Sequence, residues 1–454
     1  MLHWHSSRLL QFCKRQGKLN PKPNFWQSGG VVFTIAALAL SSCGGGGRDG
    51  IDINFTLESF IAVADLNNDS LDDLAFTKVH INRPPPHPGY VSVLLQDPDL
   101  PGSFKPSEEY SVGHDPWFVA IADVNVDTLP DLIVANSESD TISILLHDSG
   151  FPGTFLKELS LPTNQGPNSV AIGDLNMDDL PDLAVGARST VSVHFQDPDG
   201  PFEFLPAERI PVDPEMGAHH VAMGDIDGNG YPDLVVSHAG SLFVDALSSS
   251  GGSVTVFLQD EGSPGLFRAG ITSPAAEAEQ PIFVAIAEFN DDGLSDLAVV
   301  NYGTVTDGNT AGVSMLLQDP SSPGAFLAPV HYRTGFRSDT VAVADLDADG
   351  LLDLAVSNSG YLVAEYDPFT DSYDVVGSVS VLLHDPANIG SFLPAQDYQG
   401  EGGHHAVAIG NLNGDALPDL AIAADEVPVL FQDPTSPGEF LAPTLVETGS
   451  KLPH

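Results

Sequence analysis

The segment DLDADGLLDLAVSN, Asp345 to Asn358, places side-chain oxygens at loop positions 1, 3, 5 and 9 and then runs directly into an apolar stretch. The same spacing occurs seven times. The first three sets are Asp65, Asn67, Asp69, Asp73; Asp123, Asn125, Asp127, Asp131; and Asp174, Asn176, Asp178, Asp182. The other four are Asp225, Asp227, Asn229, Asp233; Glu288, Asn290, Asp292, Asp296; Asp345, Asp347, Asp349, Asp353; and Asn411, Asn413, Asp415, Asp419. Carboxylate and amide oxygens are hard ligands, and Ca²⁺ takes six to eight of them in a flexible shell. Position 7 would add a backbone carbonyl, which leaves its side chain free to vary (Leu71, Tyr231, Leu351), and position 6 is often glycine, as a sharp turn requires. Magnesium prefers fewer protein ligands, and zinc would call for histidine or cysteine, which these loops lack.

Asp, Asn and Gly also favour ordinary polar turns. That accounts for one or two such loops, but not for the same four positions in seven, where bare carboxylates would repel one another. The expectation is up to seven Ca²⁺, bound most tightly by the all-aspartate sixth loop and most weakly by the seventh, which has two carboxylates. The opening resembles an EF-hand loop. It closes on aspartate at position 9 instead of glutamate at 12, however, and is flanked by strand-like segments, so an EF-hand is excluded.

The loops must be positioned by the elements around them, and these repeat too. Loop starts fall at residues 65, 123, 174, 225, 288, 345 and 411. A second element accompanies each, for example VSVLLQDPDLPGSF from Val91 and VSVLLHDPANIGSF from Val379. Every unit offers four strands: the run into the aspartates, the run out of them, the alternating VSVLL segment, and a segment after the Pro-Gly turn. No sustained 3.6-residue apolar period is present. The fold expected is all-β, a seven-bladed β-propeller of four-stranded antiparallel blades. A β-solenoid would have shorter repeats.

The chain has 454 residues and a formal charge of −46. That charge argues against nucleic-acid or anionic-membrane binding and permits multivalent cations. Residues 1–42 read as a signal peptide: Lys14, Arg15, Lys18 and Lys22 precede the apolar run Val31 to Leu40, too short to span a bilayer. Leu40-Ser41-Ser42-Cys43 resembles a bacterial lipobox with Cys43 as the lipidated residue; the alternative is an ordinary secretory signal. Residues 43–54 then form a Gly-rich tether, 55–447 the propeller and 448–454 a tail. The only other cysteine, Cys13, lies before the cleavage point, so metal ions stand in for disulfides as loop clamps.

The unit VAVADLDADGLLDLAVSN followed by GSVSVLLHD resembles the FG-GAP/VCBS repeat of integrin α-chain propellers. The resemblance covers about residues 55 to 447 and implies first strands lining a central channel, with calcium loops on the lower face. The family's Gly-Ala-Pro triplet is missing, with Gly186-Ala187-Arg188 the nearest approach, which weakens an integrin-like partner reading.

Function is expected on the opposite face. Its long connections are Lys78 to Tyr90, His238 to Gly252, Tyr302 to Gly312 and Ser359 to Gly377. The expected role is a calcium-stabilised, membrane-anchored extracytoplasmic binding or adhesion module for a glycan or protein partner on these upper loops. Its place would be the bacterial cell envelope, with the outer membrane contacted through a lipid anchor only. The alternative is a polysaccharide lyase or hydrolase using His219, His220, His404 or His405, with His114 in a related connection. No catalytic residue is assignable from sequence.

Overall fold

Alternating β-branched and apolar residues between Gly-, Pro- and Asp-rich turns form 28 strands in seven four-stranded sheets in this computed structural model. The structure describes residues 55–81, 88–156, 158–163, 165–188, 190–200, 203–212, 217–239, 252–275, 280–303, 310–362, 375–424 and 427–446. The expected signal peptide, Cys43, the expected tether and the expected tail lie outside the described residues. Blade one shows the pattern: Phe55–Ala64, Asp73–Ile81, Pro88–Leu94 and Glu108–His114, each antiparallel to the one before. No helix occurs among the described residues.

The inner strands are Phe55–Ala64, Pro116–Ala122, Pro167–Gly173, His220–Gly224, Pro281–Ala287, Ser338–Ala344 and Ala406–Gly410. Each packs beside the next, and the first packs beside the last, so the blades close into a ring. Every second strand begins at a position-9 aspartate and is buried along its length where described, as in Asp131–Asn136 and Asp296–Asn301. Apolar side chains from neighbouring blades share each core. The closure is sealed in the same way, with Ile61, Leu74 and Phe76 of blade one against Ala421, Val427 and Val429 of blade seven. Among the described residues no strand is exchanged between the first and last blades.

Polar staples reinforce these cores. In five blades the Gln or His that ends the VSVLLQD or VSVLLHD element reaches back to the preceding blade. His147 Nε2 lies 2.9 Å from the Leu66 carbonyl, and the Gln196, Gln318 and Gln432 amides donate to Val124, Ile226 and Leu346 at 2.7–3.0 Å. At the closure Gln96 donates to the Asn411 carbonyl, while the Asn411 amide donates to Asp72 at 2.7 Å. Tyr110, Tyr332 and Tyr398 each accept the amide of the turn phenylalanine in the following blade, Phe155, Phe392 and Phe440.

Two of the expected upper loops are shorter than the sequence suggests. Strand pairing extends through Leu362 and resumes at Val375, so both ends of the Ser359–Gly377 segment are hairpin, and Lys78–Tyr90 likewise carries strand to Ile81 and from Pro88. The lengths of these connections misled because β-branched and aromatic residues at their ends continue the ladder.

Gln318 is buried and its amide caps two carbonyls, of Ile226 and Ser295, both at 2.8 Å. Gln318→Ala leaves the buried Ile226 carbonyl and the half-buried Ser295 carbonyl without that donor. A loss of about 2–4 kcal/mol is expected in urea unfolding, against a negligible change for substitution of exposed Ser321.

Candidate functional site

Position 1 of each loop follows the inner strand and position 9 opens the second strand, so both ends of the loop are pinned to the sheet. Asp73, Asp131, Asp182, Asp233, Asp296, Asp353 and Asp419, the seven position-9 aspartates, are fully buried. One carboxylate oxygen, Oδ2, accepts the amide of position 2 at 2.7–3.1 Å, from Leu66, Val124, Leu175, Ile226, Phe289, Leu346 and Leu412. The other, Oδ1, accepts the amide of the staple residue at 2.7–2.9 Å, from Gln96, His147, Gln196, Gln259, Gln318, His384 and Gln432. Each aspartate therefore ties its own loop to the far end of the third strand. Burial pushes these carboxyls up, to about 7 at Asp73 and about 6 at the other six, with the two amides pulling the other way.

Position 1 organises the loop interior. Asp65, Asp123, Asp174, Asp225 and Asp345 each accept the amides of positions 5 and 6 at 2.7–3.1 Å. This wrap needs a left-handed backbone at position 4 as well as position 6, one more than the glycine pattern suggests. The residues concerned are Asn68 and Ser70, Val126 and Thr128, Met177 and Asp179, Gly228 and Gly230, Asp291 and Gly293, Ala348 and Gly350, and Gly414 and Ala416. Left-handed φ is unfavourable for side chains with a Cβ, most of all for β-branched Val126 (φ 58°) and Thr128 (φ 72°).

The donor set fits a hard divalent cation best in two loops. Carboxylate oxygens of Asp225, Asp227 and Asp233, and of Asp345, Asp347 and Asp353, come within 4.8 Å of one another. Burial, with repulsion from neighbouring carboxylates, pushes Asp227 and Asp347 above the usual range, so a cation there would relieve like-charge crowding. Positions 1, 3 and 9 make up these groups. Asp349, the sixth loop's position 5, stands outside its group and accepts the Leu351 amide at 2.8 Å. Where position 3 is asparagine in loops two, three and seven, its Nδ2 donates to the position-5 carboxylate at 2.9–3.1 Å and holds it aside. No other such trio of titratable side chains forms among the described residues.

The histidine pairs are not equivalent. His219 and His405 stand six residues before their loops, so the counterpart of His220 in blade seven is Ala406. His220 stacks on Phe283 at 3.8 Å and lies 5.8 Å from Phe118, which packs on Phe60 at 4.1 Å. Four blades thus meet across the channel in an aromatic plug. Burial holds His220 down at about 3 and His219 at about 4. His404 is buried, and His114 ends the fourth strand of blade one. The staple residues and the plug were not singled out from sequence. Their signal is a Gln or His followed by Asp in all seven units, and an aromatic ring five places before each of four loops (Phe60, Phe118, His220 and Phe283).

Residues 123–185, 174–236 and 289–356 match the FG-GAP-like repeat model. With seven blades of one plan, the chain is an FG-GAP repeat protein folded as a seven-bladed β-propeller. No curated protein sequence matched it. Among solved structures, a Bacteroides uniformis protein assigned as a 6-phosphogluconolactonase is similar at 14% identity and a TM-score of 0.49, covering 76% of this chain and 85% of that one.

Replacing Val126 or Thr128 with glycine is expected to raise stability by about 0.5–1 kcal/mol each, because the left-handed penalty exceeds the added chain entropy; chemical denaturation measures it. The raised position-9 carboxyls also set a pH trend for the chelated protein. Their folded pKa values of about 6 to 7 lie above the unfolded value, so the folded state binds more protons between. Stability is then greatest below the unfolded value and is lost as pH rises through 6–7. With chelator, melting should occur at a higher temperature at pH 5 than at pH 7.5.

Proposed function

We propose that this protein is a calcium-stabilised extracytoplasmic binding or adhesion module. The observation that carries the reading is the loop set: one oxygen pattern in all seven blades, on one face of the ring, with the same position-1 amide wrap in five of the loops. FG-GAP repeats point to an extracellular or surface protein, and the propeller is consistent with a binding module. The ligands proposed are the position 1, 3, 5 and 9 side chains identified from sequence, with loops four and six the best prepared and loop seven the poorest. In loops two, three and seven position 5 would rotate away from the asparagine amide to join the shell.

When bound, calcium would neutralise part of a very acidic surface and clamp each first turn. The chain's own residues do the rest. Position 9 fixes the turn to the third strand, and position 1 orders the loop backbone. Cys43 would anchor the chain to the envelope by a lipid, with the glycine run as tether. The partner, a glycan or protein, would meet the face opposite the metal loops. Burial of His220 in the aromatic plug gives the alternative lyase reading no support from that residue.

Metal analysis after dialysis against calcium should give about seven ions per chain, falling as loops lose carboxylates. Chelation should lower the melting temperature by well over 10 °C. Asp347→Asn should weaken the sixth site at least tenfold in a calcium titration while leaving the fold intact with the metal in excess. An unchanged melt and no retained metal would defeat the reading.

A further inference from the structure

The far end of the channel carries a second set of side chains, on a structural device separate from the metal loops. In five blades the inner strand has a register irregularity where it enters the sheet: between Glu58 and Ile61, Pro116 and Phe118, Ser338 and Val341, Pro281 and Phe283, and opposite Gly186 and Ala187 in blade three. The extra residue is the one six places before the loop. A bulge re-aims the side chain it carries, and bulges gather beside functional sites. Trp117, Asn168, Ile282 and Asp339 are such residues, and His219 and His405 hold the same place in blades four and seven. All six are partly exposed, while the residues just after them include the plug members Phe118, His220 and Phe283. The result is one polar and aromatic layer over an apolar floor. It stands about 20 Å, the length of an inner strand, from the metal loops.

Its chemistry concentrates where blades five, six and seven meet. Asp339 Oδ2 is buried without a hydrogen-bond partner and lies 3.9 Å from His405 Nδ1, too far for a hydrogen bond. Asp339 is held in place by Ser359, which also bonds Tyr302. The Arg337 guanidinium sits 6.0 Å over the Tyr302 ring. Arg337 takes a left-handed φ of 57° at a turn where blades three and four use Gly166 and Gly217, so its side chain is kept there at a backbone cost. Burial lifts Asp339 to about 8 and depresses His405, so near pH 7 the two face each other uncharged.

We propose that this mouth layer, centred on Tyr302, Arg337, Asp339 and His405 with Trp117 across the ring, is a binding site for a neutral saccharide. A carboxyl with one unpartnered oxygen, beside an imidazole, a phenol and a guanidinium, offers donors and acceptors suited to a vicinal diol, and the indole offers a flat apolar face. The charge balance of the chain, −46 formally, disfavours polyanionic sugars at long range. The inference rests on the binding-module reading and narrows it to a glycan at this place.

The test is affinity electrophoresis of the full chain with calcium, in gels cast with dextran, galactomannan or xyloglucan and, separately, with polygalacturonate or alginate. Retardation by at least one neutral polysaccharide is expected. It should weaken at least tenfold in Asp339→Ala and in Trp117→Ala, with metal content and melting temperature unchanged. Should either variant fold poorly, Tyr302→Phe and His405→Gln supply the same comparison. Retardation by acidic polysaccharides alone, by none, or undiminished in the variants overturns the inference. An unaltered calcium-dependent melt in that case leaves the metal-stabilised module standing, with a protein partner as its remaining ligand class.

Discussion

A buried carboxylate that accepts one backbone amide from its own loop and another from the end of the third strand is the contact on which the rest of this molecule depends. Position-9 aspartate makes it in every blade. Hydrogen bonds to a charged group are each worth about 1.5–3 kcal/mol, roughly double a neutral bond, and the cost is the desolvation of a full charge. The raised pKa values express that cost. A cation beside positions 1 and 3 would lower it, so folding and metal binding would be two faces of one balance.

From that contact the geometry propagates outward. In five blades the amide that bonds Oδ1 belongs to the same Gln or His whose side chain reaches the preceding blade's loop. There, loop order within the blade and contact between blades are set by the backbone amide and the side chain of one residue. At the closure blade seven meets blade one through this same polar link and a shared apolar core. The two ends of the channel then have separate tasks: acidic turns at one end stabilise the ring, while at the other the bulged strand entries present side chains that the cores do not use.

Much of this was legible in the sequence, because repetition makes weak signals add. Strand alternation, Pro-Gly turns and seven aspartate loops define the blade plan. Asp353 could be recognised as a loop oxygen, but its two amide partners could not, since Leu346 and His384 are brought to it only by the folded sheet. The left-handed backbone at Val126 was hidden because valine gives no hint of positive φ. His219-His220 and His404-His405 look alike as strings, yet a one-residue offset sends His220 into the plug and leaves His405 beside Asp339. Strand bulges have no local composition, so the mouth layer appeared only once the register was known.

The most direct measurement is the unfolding free energy of Asp233→Asn in excess chelator, where no metal contribution remains. The substitution turns one acceptor into an NH₂ facing a backbone amide. A loss of about 3 kcal/mol or more without calcium is the expected result. A variant as stable as the parent in chelator, and weaker only when calcium is present, would show position 9 to be a metal ligand alone and contradict its role as the tie between loop and sheet.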